Sequence, residues 1–340
     1  MRFVLYISQN YSFEILRPLA AEMIKDKHEV RWFVEGHAVN QQLFRDDEKR
    51  LGKVRDVVDF NPDAVFLPGN VVPAFIPGLK VQVFHGFEWK KKGHFRIREC
   101  FDLYCTQGPF FTQAFEKLRE RHPHFTVKET GWPKLDPLFA GLKATHTNEV
   151  PTILFAPTFS PKLTSAPALI EQIKTLSQSM PWKWLIKFHP KMDAETIQAY
   201  KDIASDNLNV VESQSILPLL QQCDVMVSDT SSAITEFLLM KKPVVTFNNA
   251  QPEDVFIDIT QAEMLGSAIE TSLNLSNDQR NNIEAYANQM HPYTDGQSAR
   301  RILEATLEEI RVFPRHGNVA KPRNVIRNLK LRKRLGYWTL

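Results

Sequence analysis

Residues 224–248 read DVMVSDTSSAITEFLLMKKPVVTFN, which is the pattern of a strand, a tight turn and a helix. Val225 to Val227 form a short apolar run that is typical of a strand buried in a parallel sheet. Three hydroxyl residues follow the strand, and such residues are preferred at helix N-termini. We predict a helix over Ala233 to Met240, ended by Lys241-Lys242-Pro243. The stretch therefore indicates a parallel α/β sheet.

The turn of this stretch is a candidate phosphate site. The first N–H groups of a helix have no partner within the helix, and the helix dipole adds partial positive charge there. A phosphate or pyrophosphate suits this position, with Ser231 and Ser232 as further donors. Alternatively, Thr230, Ser231 and Ser232 only cap the helix. The stretch alone leaves both interpretations open.

Strands and helices alternate along the rest of the chain, which predicts parallel sheets covered by helices. The predicted strands are Arg2–Ser8, His28–Val34, Ala64–Leu67, Val81–Phe84, Phe101–Thr106, Thr152–Ala156, Lys183–Phe188 and Asn209–Val211. The predicted helices are Phe13–Lys25, Asn40–Leu51, Phe110–Arg121, Ala166–Ser179, Ala194–Ala204, Ser215–Gln222, Ser276–Gln289 and Gln297–Arg311. The polar segment 138–151 is the predicted linker. We expect two Rossmann-like halves that face each other across a cleft.

Composition narrows the class of protein. The 340 residues carry a net charge of +3, but residues 321–340 hold seven Lys or Arg and no acid, so the other 320 residues carry −4. This distribution favours a local anionic partner over a nucleic-acid-binding body. The three cysteines form no C-x-x-C pair, and no apolar run is long enough for a signal peptide or a membrane span. We expect a cytoplasmic protein.

Polar residues also end three other predicted strands. His85, followed by Gly86, is a candidate general base near neutral pH, although a lone histidine is often structural. Thr158 can contact phosphate or only cap a turn. Lys187 and His189 are predicted to share one strand face, where they suit a pyrophosphate or form a plain surface pair.

Two further observations complete the site prediction. Glu236 lies one turn into the central helix, where it can hold a hydroxyl group or lie on a helix surface. The lysines at 90–92 can neutralise phosphate or belong to a solvated loop. The chain has no Walker A loop, no G-x-G-x-x-G after its first strand, no metal-ligand spacing and no G-x-S-x-G elbow. ATP hydrolysis and dinucleotide binding of the usual kind are therefore unsupported.

Six motifs in order resemble one known family. They are HG-x₃-KK-x-G from His85, GWPKLD at 131–136, APT at 156–158, K-x-HPK at 187–191, SDTSSAITEF at 228–237 and DG-x-SA-x-R at 295–301. Together they resemble the CDP-glycerol glycerophosphotransferases of teichoic-acid-type polymer synthesis, over residues 80–305. The resemblance implies a GT-B fold with an N-terminal acceptor domain over 1–140, a C-terminal nucleotide-donor domain over 150–312 and a basic amphipathic tail over 313–340.

The resemblance also implies an inverting, metal-independent transfer without cofactors. An acceptor hydroxyl would attack the β-phosphate of a CDP-alcohol, and CMP would leave. The implied catalytic residues are His85 and His189. Donor and phosphate binding is implied for Lys187, Thr158, Asp229, Thr230, Ser231, Ser232 and Glu236, and an acceptor or auxiliary role for Gly86, Lys91 and Asp295. Family members often have aspartate at the place of Glu236, and many polymerases have a long N-terminal extension that this chain lacks, which favours limited transfer.

Partners and location follow from the tail and the resemblance. Apolar residues alternate with the basic ones in 321–340, so we expect peripheral binding to the anionic inner face of the cell membrane. A disordered terminus or a protein-binding segment is the alternative. The expected acceptor is a surface glycan or a lipid-linked molecule. Two other functions stay open: a GT-B glycosyltransferase that uses a UDP- or CMP-sugar in cell-surface polysaccharide synthesis, and a non-catalytic polysaccharide-binding or assembly protein.

Overall fold

The computed structural model describes residues 1–87, 89, 93–140, 149–212, 215–312 and 321–338. The chain forms two compact units. Unit 1 comprises Met1–Gly141 and Met290–Leu340, and unit 2 comprises Leu142–Gln289. Each unit is built on its own parallel sheet. The predicted α/β class with two Rossmann-like sheets is confirmed.

The strands are short, and most of their residues are buried, as expected for parallel sheets with helices on both faces. In chain order they are β1 (Arg2–Ile7), β2 (Glu29–Val34), β3 (Arg50–Leu51), β4 (Ala64–Leu67), β5 (Leu79–Gln82), β6 (Leu103–Thr106), β7 (Thr126–Glu129), β8 (Thr152–Phe155), β9 (Lys183–Ile186), β10 (Leu208–Val210), β11 (Val225–Ser228), β12 (Val244–Phe247) and β13 (Ile257–Ile259). The sheet of unit 1 has the order β3-β2-β1-β4-β5-β6-β7, and that of unit 2 has the order β10-β9-β8-β11-β12-β13.

The helices follow the strands with amphipathic spacing. They are α1 (Ser12–Lys25), α2 (Val54–Phe60), α3 (Pro109–Arg119), α4 (Asp136–Ala140), α5 (Ala166–Ser179), α6 (Ala194–Asp202), α7 (Leu217–Gln222), α8 (Ala233–Leu238), α9 (Leu265–Leu273), α10 (Asn277–Met290), α11 (Ser298–Val312) and α12 (Val325–Leu335). Among the described residues, no helix has the length and apolar character needed to cross a membrane.

The helix α11 differs from its predicted place in the second domain, because it packs in unit 1. Asp136 accepts the backbone N–H groups of Ser298 and Ala299 at 2.8 and 2.7 Å, which caps the first turn of α11. Arg300 also pairs with Asp26 at 2.6 Å. These bonds join residues that are more than 160 positions apart, so the chain returns to unit 1 near Met290.

The basic tail is also part of unit 1 over its described residues, 321–338. Leu331 of α12 is buried, and Tyr337 stacks on Phe75 with ring centroids 4.7 Å apart. Lys321 pairs with Asp102 at 2.5 Å. The predicted amphipathic character is therefore used on one side for docking to unit 1.

Other sequence predictions were wrong in detail. The predicted helix over Asn40–Leu51 is a single 3₁₀ turn at Gln41–Leu43 followed by β3. The Asn40 side chain accepts the N–H of Gln42, and the charged residues that follow provide no apolar stripe for a helix. The short elements α2, β7, α9 and β13 were not predicted. Of the predicted linker, residues 141–148 lie outside the described residues, and α4 extends to Ala140.

Candidate active site

The candidate phosphate residues of unit 2 lie where its strand order reverses. Connections from β8 run to β9 on one side, whereas β11 lies on the other side of β8. Open α/β sheets bind ligands beyond the carboxyl ends of the strands at such a switch point. Thr158 follows β8, and Asp229 directly follows β11. The structure thus brings these two predicted residues together, and the Thr158 N–H lies 3.0 Å from an Asp229 carboxylate oxygen.

Asp229 organises this edge of the sheet and is fully buried. Its carboxylate accepts the N–H groups of Thr158, Ser165 and Thr230, and the Ser165 hydroxyl at 2.9 Å. Burial raises the pKa of Asp229, and these hydrogen bonds act in the opposite direction. The expectation that Asp229 contacts phosphate is therefore corrected. A buried carboxylate that already accepts protein N–H groups positions Thr158 and the turn, and it would repel an anion.

The three hydroxyl residues after Asp229 have different surroundings: Thr230 and Ser231 accept local hydrogen bonds, and Ser232 is exposed. The Thr230 hydroxyl accepts the N–H of Ala250 at 3.0 Å, and the Ser231 hydroxyl accepts the N–H of Ala233 at 3.3 Å. Ser232 is exposed, and its side chain makes no capping bond. The helix α8 ends at Leu238, two residues before its predicted end. Ser231 thus bonds within the turn, as the capping interpretation predicts, and phosphate binding by the exposed Ser232 stays a prediction.

Glu236 lies in the first turn of α8 and is 5% exposed. It is therefore not the helix-surface glutamate that the sequence also allowed. Its contact with a donor hydroxyl stays a prediction.

Lys187 and His189 follow β9, but the strand ends at Ile186. The prediction that both side chains share one face of a strand is therefore wrong, because both residues lie in the loop. Lys187 is half-buried and donates to the Phe188 carbonyl at 3.1 Å. Burial lowers the pKa of Lys187. His189 is exposed at the carboxyl edge of the sheet.

The neighbours of His189 define its tautomer and its charge. Its Nδ1 accepts the N–H of Lys191 at 3.1 Å, so the proton of the neutral ring is on Nε2. Its ring stacks on Phe159, with centroids 4.4 Å apart. Burial and then the positive charges of Lys191 and Lys187 lower the pKa of His189. The imidazole is therefore neutral near pH 7 and presents an Nε2–H donor.

His85 of unit 1 is exposed in the loop after β5, and hydrogen bonds hold the backbone on both sides of it. Phe84 and Gly86 on either side have positive φ angles of 55° and 153°. The Gln107 side chain donates to the Gly86 carbonyl at 2.9 Å, and the Trp132 indole N–H donates to the Phe84 carbonyl at 3.3 Å. These bonds hold the backbone on both sides of His85.

Sequence reasoning missed the residues that support this loop. The buried His291 accepts the N–H of Trp132 through Nε2 at 2.9 Å. Gly131 has a φ of +81°, and a Cβ there would lie 2.4 Å from the Ser298 hydroxyl. With Asp136 bonded to Ser298, the motifs at 131–136 and 295–301 pack on each other. Their co-occurrence in the sequence was a signal, but it did not indicate contact.

Asp295 and Lys91 were both predicted to have an acceptor or auxiliary role, and the structure describes only Asp295. Asp295 is exposed, forms an ion pair with Arg301 and accepts the N–H of Gln297 at 3.1 Å. The Arg301 guanidinium lies 4.1 Å from the centre of the Tyr293 ring. Asp295 thus stabilises the start of α11, and an acceptor contact stays a prediction. Lys91 lies outside the described residues.

Solved structures match almost the whole chain. A putative UDP-N-acetylglucosamine 2-epimerase from Listeria monocytogenes aligns with a TM-score of 0.65 and 14% identity, covering 94% of this chain and 98% of the other. The wall teichoic acid polymerase TagF, as a histidine-to-asparagine variant soaked with CDPG, aligns with a TM-score of 0.64 and 13% identity, covering 92% and 90%. The UDP-GlcNAc 2-epimerase from Neisseria meningitidis, bound to UDP-GlcNAc, gives 0.61 and 15%, covering 91% and 100%. These likenesses confirm the predicted GT-B fold.

The family model of CDP-Glycerol:Poly(glycerophosphate) glycerophosphotransferase matches residues 84–308, about two thirds of the chain. The protein belongs to this family. The predicted family, the class of enzyme and the transfer of glycerol phosphate from a CDP-linked donor are thereby confirmed. A search of curated protein sequences found no significant match.

Proposed function

We propose that this enzyme transfers glycerol phosphate, or a related alditol phosphate, from its CDP donor to a hydroxyl of a surface glycan or lipid-linked acceptor, as in teichoic-acid-type synthesis. The observation that carries the proposal is the position of the motif residues within the family match. His85, Thr158, His189 and Ser232 all follow the carboxyl ends of parallel strands, where α/β sheets bind ligands.

We assign the role of general base to His85. It is exposed in a loop at the carboxyl edge of the sheet, and its neighbouring carbonyls are held by Gln107 and Trp132. A histidine in this position suits a general base near neutral pH. The base would take the proton of that hydroxyl as its oxygen attacks the β-phosphate. CMP would leave with the electrons of the broken P–O bond.

His189 and Lys187 would stabilise the diphosphate as negative charge develops on the leaving group. The neutral His189 ring offers Nε2–H as a donor, because Nδ1 is occupied by the N–H of Lys191. The Lys187 ammonium adds positive charge from the same loop. Ser232 and Thr158 would bind the phosphates at the switch point of unit 2.

Released nucleotide tests the donor. The protein is incubated with CDP-glycerol or with a panel of UDP- and CMP-sugars, and CMP and UDP are quantified. We expect CMP from CDP-glycerol only. UDP release from a UDP-sugar would instead support the glycosyltransferase, which was the second function predicted from the sequence.

Histidine variants test the assigned roles. We expect His85→Ala and His189→Ala each to lower turnover by about 10²- to 10⁴-fold, the usual contribution of a positioned acid or base. His122→Ala is the matched control, since it lies between α3 and β7 at the amino edge of the same sheet as His85. Full activity in both active-site variants would refute the assignment.

Metal independence is a separate part of the proposal. Within the described ranges, no group of three or more His, Cys, Asp or Glu side chains could hold a metal ion. We expect CMP release to continue at an unchanged rate in excess EDTA. Loss of activity that Mg²⁺ restores would contradict the metal-free mechanism.

We further propose that the enzyme is peripheral on the inner face of the cell membrane, where it serves synthesis of a cell-envelope polymer, such as teichoic acid or capsule. Support comes from the outer face of α12 and the residues that flank it. Val325, Ile326, Leu329 and Trp338 are 59%, 72%, 49% and 60% exposed. Arg323 and Lys330 are exposed among them. Exposed apolar groups among cations suit an anionic lipid surface.

Point variants test this surface better than deletion, because deletion of 321–340 would uncover the buried Leu331 contacts. We expect Ile326→Ser/Leu329→Ser to bind phosphatidylglycerol vesicles several-fold less well in co-sedimentation. Ile24→Ser removes an apolar side chain elsewhere on unit 1 that is 59% exposed, between the values for Leu329 and Ile326, and should bind normally. Equal binding by all three proteins would refute the membrane surface.

A further inference from the structure

Unit 1 has a cavity of about 390 Å³ at the switch point of its own sheet. The cavity lies beyond the carboxyl ends of β1, β2 and β4, and His85 is not among the residues that line it. Its polar lining includes Tyr6, Ser8, Glu35, Asn70, Arg98 and Arg334. The volume falls within the range of small-ligand sites, and the position is the one where parallel α/β sheets bind ligands.

Some polar atoms of this lining are buried without a hydrogen-bond partner. They include Nε of Arg98 and Oδ1 of Asn70. A buried polar atom left unpaired costs about 1–3 kcal/mol, so such atoms usually pair with protein groups, ordered water, an ion or a ligand. Their presence in one cavity indicates a polar ligand that both donates and accepts hydrogen bonds.

The charged side chains that line the cavity indicate the charge of its ligand. Arg334 of α12 pairs with Glu35, whose other oxygen accepts the Tyr6 hydroxyl at 2.7 Å. Arg98 has no such carboxylate partner among the described residues. Desolvation, and then the positive charges of Arg96 and Arg327, lower the pKa of Arg98. The cavity therefore has one guanidinium in excess over its carboxylate.

We propose that this cavity binds a phosphorylated polyol, and that Arg334 of the C-terminal helix is one of its ligand-binding residues. Arg98 and Arg334 would bind the phosphate, since guanidinium groups match phosphate oxygens in a bidentate manner. Glu35 and Tyr6 would bind hydroxyl groups of the polyol. The identification of this ligand with the growing end of the acceptor rests on the proposed function.

The position of Arg334 has a consequence for the acceptor. The same helix carries the exposed apolar residues Ile326 and Leu329 on its outer face and Arg334 at its C-terminal end. A lipid-linked acceptor end would thus meet its binding site next to the surface that we propose to lie on the membrane.

Calorimetric titration with sn-glycerol 3-phosphate tests the site in the intact protein. We expect binding that is at least tenfold weaker in Arg334→Ala and only partly weakened in Arg334→Lys. Lys333→Ala, the exposed neighbouring cation on the same helix, should bind as the wild type does. Glycerol and inorganic phosphate should each bind more weakly, because each offers only half of the recognised groups. Equal affinity of Arg334→Ala and Lys333→Ala, or no binding by the wild type, would overturn the proposal.

A titration with CDP-glycerol separates this inference from the proposed function. We expect Arg334→Ala to keep the affinity for CDP-glycerol while its KM for a glycerol-phosphate-terminated acceptor rises. If the wild type fails to bind CDP-glycerol, the proposed function is wrong, and the glycerol 3-phosphate result still decides the cavity.

Discussion

Replacement of Gly131 by alanine probes the contact that holds the start of α11 against the loop of His85. Gly131 has a φ of +81°, and the added Cβ would lie 2.4 Å from the Ser298 hydroxyl and 3.0 Å from Nε2 of His291. The left-handed backbone costs a non-glycine residue about 1–2 kcal/mol. Overpacking of a tight site adds about 1–3 kcal/mol. We therefore expect Gly131→Ala to destabilise unit 1 by about 2–5 kcal/mol.

Gly336→Ala is the matched control. Gly336 has a similar φ of +64°, but a Cβ there meets no atom within 4 Å. Only the backbone cost of about 1–2 kcal/mol applies. The difference between the two variants thus isolates the packing of the motif at 131–136 on the motif at 295–301, and we expect it to be about 1–3 kcal/mol.

Thermal unfolding and hydrogen exchange measure this difference. For a unit of this size, each kcal/mol shifts the unfolding midpoint by about 2–4 °C, so Gly131→Ala should melt several degrees below Gly336→Ala. Peptides from α11 should exchange faster in Gly131→Ala alone. Transfer activity should also fall, because Trp132 holds the Phe84 carbonyl next to His85. Equal midpoints in both variants, with unchanged exchange in α11, would refute the reasoning.

Three other predictions concern pH and the site in unit 2. Burial lowers the pKa of His291 to about 4, whereas the unfolded residue titrates near about 6.5, so the unfolded state binds more protons between these values. Stability should therefore fall by about 3 kcal/mol on acidification through this window, and His291→Gln should lose that part of the pH dependence in unfolding titrations. His189→Gln should retain a higher rate of CMP release than His189→Asn, because the glutamine amide N–H lies near the position of the Nε2–H donor of His189. The reverse order of rates would contradict the assigned tautomer. Phe159→Ala should raise the KM for CDP-glycerol several-fold by removing the ring that stacks on His189, and Phe159→Tyr should not.

Local patterns were sufficient for the central strands of the two sheets, but not for the short edge strands β3, β7 and β13. The run VMVS of β11 is buried on both faces, so continuous apolar character indicated a parallel strand without knowledge of its neighbours. The helix α5 has its predicted bounds because its apolar stripe and flanking residues are local signals. For the same reason His85 and Thr158 could be placed beyond strand ends. The order of the motifs then indicated the family.

Only the tertiary structure decided which carboxylates accept hydrogen bonds from the protein itself and where the C-terminal helices pack. The sequence predicts that Asp229 and Glu236 both contact the donor near the phosphate turn. In the structure, the Asp229 carboxylate already accepts N–H groups from a loop about 70 residues away in the chain. Arg334 reaches Glu35 across nearly 300 positions. Such contacts depend on how packed elements bring distant residues together, and helical or strand periodicity reports only which face of its own segment a residue occupies.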